Sequence, residues 1–245
     1  MMDIEAFREG AGDLERLLRL QSMPIALRML EEEEEIPEEA VRPMRDMGHH
    51  LSFCQALALS RRRGLTIAQT KEDMWCFEPV VGLGFVEPPV KFLEGHNRFP
   101  ASASTLEAGG TWARNMPRFE FPGYSAVVTA PLETATFQPD LLMLYGSPSV
   151  MTQIMLAKNW LDGEDVISAM TGHAACVYYV VPPHKEQKLC MSNPCGGDLR
   201  RTGCDYLSMV FSAPAWIAPI MKVIPKRSAS LLWPARKVLI HRLRR

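Results

Sequence analysis

YSAVVTAPLETATFQPDLLMLYGSPSVMTQIMLAKNWLDG, residues 124–163, encodes two strands and a helix in succession. Its runs YSAVVTAPL (124–132) and DLLMLYG (140–146) are apolar and bounded by Pro, Gly and Asp, the pattern of strands buried on both faces. In SPSVMTQIMLAKNWLDG (147–163), Ser147 can cap, Pro148 suits a first helical turn and Gly163 supplies a stop.

The same alternation extends outward. IEAFREGAGDLERLLRL (4–20) carries Leu14, Leu17 and Leu18 at helical spacing, and PIALRML (24–30) reads as a buried strand. Glu31–Glu35 is a charge run, which predicts a solvated connection. HLSFCQALALSRRRG (50–64) reads as a helix with Ser52 at its N-cap and Gly64 at its stop, followed by the strand LTIAQT (65–70). DMWCFEPVVGLGF (73–85) reads as loop into helix, and 101–116 as a helix weakened by Gly109 and Gly110. HAACVYYVVPP (173–183) and DYLSMVFSAP (205–214) read as further strands. Strands alternating with helices predict an α/β (or α+β) fold, a mixed sheet flanked by helices. One compact domain is expected over 1–220, with 221–245 a basic amphipathic C-terminal extension.

The 245 residues are 47% hydrophobic, enough for a core that needs no disulfide staples. MMDIEAFREG is acidic and has no apolar signal core, and no apolar run is long enough for a bilayer span, so a cytoplasmic protein is expected. Thiols stay reduced there, which directs the six cysteines toward metal or redox work. Residues 206–245 hold eight of the 27 basic residues and none of the 28 acids. Such a tail, with Leu231 and Trp233, suits an acidic membrane surface or protein partner, and specific nucleic-acid binding is not expected.

The chain contains no GxxxxGK[ST], GxGxxG, GxSxG or HExxH motif, and GLGF at 82–85 is only a glycine pair. Asp140 and Asp162 flank a strand start and a helix end and read as local caps rather than catalytic bases. His50 and Cys54 stand four apart, a weak zinc signal. The densest cysteine stretch is CMSNPCGGDLRRTGC, 190–204, but Cys190-x4-Cys195-x8-Cys204 matches neither ferredoxin nor zinc-ribbon spacing. A site can still be assembled from distant cysteines, although Cys54 and Cys176 taken singly read as small buried hydrophobes.

The ordered set of short motifs resembles the domain-of-unknown-function family number 169 over roughly residues 14–215. It comprises Pro-Ile-Ala-Leu at 24–27, Cys-Gln-Ala at 54–56, Cys76 before a Gly-Leu-Gly turn, and Ala-Pro-Leu at 130–132. Gln-Pro-Asp at 138–140, Pro-Ser-Val-Met at 148–151, Cys176 and a Cys-Gly before an arginine at 195–200 complete it. The resemblance implies four recurring cysteines, Cys54, Cys76, Cys176 and Cys195, as metal ligands, and leaves Cys190 and Cys204 without counterparts.

Four thiolates on one point suit a 4Fe-4S cluster or a tetrahedral zinc. On the first reading the chain is a cytoplasmic iron–sulfur protein with an electron-transfer or redox role and an unknown redox partner. Phe53, Trp75 and Phe77 would shield the cluster, Gly196 and Gly197 would donate backbone amides, and Arg200 would steady its charge. On the second, zinc stabilises a module that binds a small anionic ligand through Arg200 and Arg201. On the third, Cys190 and Cys195 form a reversible disulfide without metal.

Overall fold

The computed structural model describes residues 4–212; the basic extension at 221–245, with Leu231 and Trp233, lies outside them. In chain order come α1 (Ile4–Leu18), β1 (Ile25–Leu30), a π-helical turn (Pro43–Met47), α2 (Phe53–Arg63), β2 (Ile67–Gln69), α3 (Phe77–Gly82), α4 (Val90–Leu93) and α5 (Leu106–Asn115). Then follow β3 (Ala126–Pro131), β4 (Leu141–Gly146), α6 (Pro148–Asp162), α7 (Ala175–Tyr178), α8 (Val181–Glu186), β5 (Leu189–Ser192), α9 (Gly196–Thr202) and β6 (Leu207–Ser212).

The strands form one sheet in the order β2-β3-β1-β4-β6-β5. The expected α/β or α+β class is found. Among the described residues every ladder within the sheet runs antiparallel, and the parallel pairing is confined to the isolated bridges Val41–Ile67 and Leu51–Met74. Antiparallel strands commonly alternate apolar with polar, because one face meets water. Here both faces are covered, so the alternation is erased. Ala26, Leu30, Val128, Leu142 and Leu144 face a layer holding Phe7, Leu14 and Leu18 of α1 and Met151 and Ile154 of α6. Ile25, Leu27, Met29, Val127, Met143 and Tyr145 face a second layer holding Phe53 and Leu57 of α2, Val80 of α3 and Val177 of α7. Small residues on the first face (Ala26, Ala126 and Ala130) let the helices of that layer approach the strands.

The helix signals around α2 are realised in detail. Ser52 accepts from the Gln55 amide while the Gln55 side chain accepts from the Ser52 amide, a capping box, and Gly64 closes the helix at a positive φ. Such a cap contributes about 1 kcal/mol.

The run 173–183 is not a strand. Ala174 takes a left-handed conformation, α7 follows at once, and Pro182 and Pro183 lie in the opening turn of α8. A short, wholly buried apolar run carries no periodicity that separates strand from helix. Its prolines cannot serve an interior ladder but fit a helix start. Packing completes the choice: a Cβ at Gly82, the end of α3, would lie 2.6 Å from the Val177 methyls of α7.

Candidate functional site

Cys54, Cys76, Cys176 and Cys195 line one cavity of about 190 Å³ in the second helical layer. Each sits where a helix begins: Cys54 is the second residue of α2, Cys176 the second of α7, and Cys76 and Cys195 are the N-cap residues of α3 and α9. First-turn amides have no partner within their own helix and carry partial positive charge, which favours sulfur in its anionic form.

Specific contacts gather these four starts. Helix α2 packs on α9, and Arg62 Nη1 donates to Thr202 O at 2.7 Å. Helix α3 packs on α7 through the Gly82–Val177 approach. The Gly196 amide donates to Gly172 O at 3.2 Å, and the Asn193 side chain donates to Thr171 O at 3.1 Å, tying the Cys195 loop to the segment before Cys176. Gly196 was expected to donate toward sulfur; its amide is instead spent on this tie, because the loop must be anchored before Cys195 can face the cavity. Gly197 does line the cavity, and a Cβ there would lie 3.5 Å from Cys195 Sγ.

The thiols interact electrostatically. Burial pushes the Cys54 thiol up to about 12, although the Ser52 hydroxyl 3.1 Å from its sulfur acts in the opposite sense. Burial pushes Cys176 well above its ordinary value, and the neighbouring Cys195, Cys54 and Cys76 add to the rise. Cys76 is also raised by burial, partly offset by Arg201, whose Nη1 donates to Cys76 Sγ at 2.7 Å. Among the described residues, no three His, Cys, Asp or Glu side chains are grouped so as to hold a metal ion as they stand.

The arginines differ from expectation. Arg200 lies exposed at the cavity rim, whereas Arg201 makes the direct thiol contact. A third arginine, Arg98, lines the cavity at 8% exposure. Its guanidinium lies over the Trp112 ring at 3.9 Å, worth about 2 kcal/mol when desolvated. Its Nη2 stands 3.3 Å from Glu78 Oε1, yet neither Nη2 nor Nε makes a hydrogen bond. The two groups pair by charge without a hydrogen bond, so Glu78 balances charge without using these donors. Leaving a buried donor unpaired costs on the order of 1–3 kcal/mol. Arg98 had no motif to mark it, since its partner Trp112 and the wall it joins come from other segments. The glycines that weakened the 101–116 helix explain its position. A Cβ at Gly109 would lie 2.9 Å from Gly95 O and 3.1 Å from Arg98 Cβ, so α5 can press against the Arg98 turn only with glycine there.

Of the aromatics expected to shield the site, Phe53 is buried and lines the cavity, while Trp75 is 65% and Phe77 43% exposed. His49 and His50 are exposed and lie off the cavity wall, so the His50–Cys54 spacing does not build a site. Cys190 is buried in β5 and Cys204 is wholly buried in the second core layer; neither lines the cavity, and all six cysteines are free. Asp140 is not a local cap: it accepts from the Met29 amide of β1 at 2.7 Å and stands 3.9 Å from His184 Nε2, whereas Asp162 pairs locally with Lys158 at 3.0 Å.

Sheet, two helical layers and a four-thiol cavity together define a helix-covered antiparallel-sheet protein with a cysteine-lined internal site. The chain belongs to the domain-of-unknown-function family 169, described as "Uncharacterised ArCR", whose model matches residues 13–221. It is similar to an uncharacterised protein of Methanocaldococcus jannaschii, 24% identical over 216 residues, covering 87% of this chain and 91% of the relative. No solved structure matches the chain. No helix among the described residues is long and apolar enough to cross a membrane.

Proposed function

We propose that the chain is an iron–sulfur protein of a reducing compartment such as the cytoplasm, with Cys54, Cys76, Cys176 and Cys195 as ligands to a 4Fe-4S cluster. The observation that carries this is convergence: four thiols from four separate segments line one cavity, while the two other cysteines stay outside it. The donor set fits, since cysteine thiolates are the usual ligands of such clusters. A single zinc would need all four sulfurs about 2.3 Å from one point. A cavity of about 190 Å³ lined by four cysteines leaves room for the larger polynuclear occupant.

When bound, the group supplies one-electron chemistry. The protein's own part is electrostatic. Helix starts and Arg201 favour the thiolate form, Phe53 and the second core layer exclude water, and Arg200 at the rim is placed to meet a small anion or an acidic partner surface. Anaerobic purification followed by iron, sulfide and zinc analysis tests the proposal. A brown protein with iron and sulfide in equal amounts supports it. A colourless, iron-free protein that resists reconstitution overturns it, and one zinc without iron replaces it with the zinc reading.

A further inference from the structure

We infer that Arg98 is the positioning and tuning residue of this site: its guanidinium is the hydrogen-bond donor to sulfur in the occupied cavity, and its charge raises the reduction potential. The inference rests on the iron–sulfur reading. Among the described residues three arginines reach the cavity, and they are not equivalent. Arg200 is exposed, and Arg201 has already committed Nη1 to Cys76. Arg98 alone combines burial at 8% exposure with unused donors.

The geometry of those donors is specific. Nε and Nη2 lie on one edge of the guanidinium and are shielded from open space, which leaves Nη1 as the nitrogen that reaches the cavity. Trp112 covers the face of the group at 3.9 Å, and the Gly95–Gly109 approach fixes the backbone beneath it. Glu78 stands 3.3 Å from Nη2 without accepting a hydrogen bond from it. A buried guanidinium held this rigidly at the cavity wall, with donors left unpaired, is placed to meet an acceptor inside the cavity. The wall there offers sulfur from four cysteines. Hydrogen bonds to sulfur and nearby positive charge both favour the electron-rich, reduced state, so the potential rises.

The test uses the full-length wild type, Arg98→Met and Arg98→Lys, each reconstituted anaerobically and assayed for iron, sulfide and midpoint potential by a spectroscopically monitored redox titration. Arg98→Met is expected to retain iron and sulfide while its reduction equilibrium shifts at least tenfold toward the oxidised form, about 59 mV more negative for one electron. Arg98→Lys, which keeps the charge but loses the planar guanidinium, is expected to shift by less. A fully loaded Arg98→Met with an unchanged potential overturns the inference while leaving the iron–sulfur reading intact. If Arg98→Met holds no cluster, Arg98→Lys decides: a lowered potential supports the inference and an unchanged one overturns it. A wild type without iron and sulfide overturns both readings at once.

Discussion

Cys54 and Cys204 are both buried thiols, yet their surroundings give them different work. Cys54 faces three other thiols across a cavity, whereas Cys204 lies in the second core layer with its sulfur 3.7 Å from Tyr206 O. Replacing Cys54 or Cys176 by serine is therefore expected to abolish iron binding. Cys190→Ser and Cys204→Ser are expected to bind iron normally, with Cys204→Ser losing about 1–3 kcal/mol of stability through its buried hydroxyl. Iron content and urea midpoints of the four variants check this. A pH dependence follows from the Cys54 thiol, pushed up to about 12 by burial. An unfolded thiol ionises near pH 8.5. Between those values the folded chain holds a proton that the unfolded chain has released, so stability falls as pH rises. The metal-free protein is thus expected to keep this contribution below about pH 8.5 and to lose it progressively above, which thermal melts between pH 7 and 10 would register. Metal binding should also release protons, so loading at fixed metal concentration improves as pH rises.

Among the elements, helix starts carry the site, so local helix chemistry and site geometry are coupled. Ser52→Ala removes the α2 capping box and the hydroxyl beside Cys54. A loss of about 1 kcal/mol is expected, with weaker retention of metal under chelator challenge. Gly82→Ala places a Cβ 2.6 Å from the Val177 methyls and drives α3 from α7. Overpacking of this kind is expected to destabilise by about 1–3 kcal/mol and to separate Cys76 from Cys176, lowering bound iron per folded molecule. Equilibrium unfolding together with metal analysis reads both effects. The shielding expected from Trp75 and Phe77 failed at this scale. Both flank Cys76 in sequence, but a residue beside a helix cap projects as the turn dictates: Trp75 projects to solvent and Phe77 packs edge-on against Phe92.

Across the whole molecule, one sheet separates two helical layers, and the site belongs to only one of them. Ile154, on α6 in the opposite layer, is fully buried. Ile154→Ala is expected to lose about 2–5 kcal/mol by opening a cavity, yet leave the iron bound per folded molecule unchanged. Denaturant titration and metal analysis of the folded fraction separate the two quantities. Local chemistry determined much of this architecture: apolar runs made β1, β3 and β4, Ser52 and Gly64 bounded α2, and Pro148 and Gly163 bounded α6. These follow from side-chain sterics and hydrogen bonding within a few residues, and so are written in the sequence. Which cysteines meet was not written there in the same way. The run around Cys176 read as a strand until Gly82 and the prolines turned it into helix, and of the three cysteines in CMSNPCGGDLRRTGC only Cys195 lines the cavity. Arg98, Trp112 and Gly109 had no spacing to connect them, because their contact arises from two segments pressed together without side chains between them. Long-range packing decided the cavity wall, since only the folded chain fixes which buried donors and thiols are left facing one another.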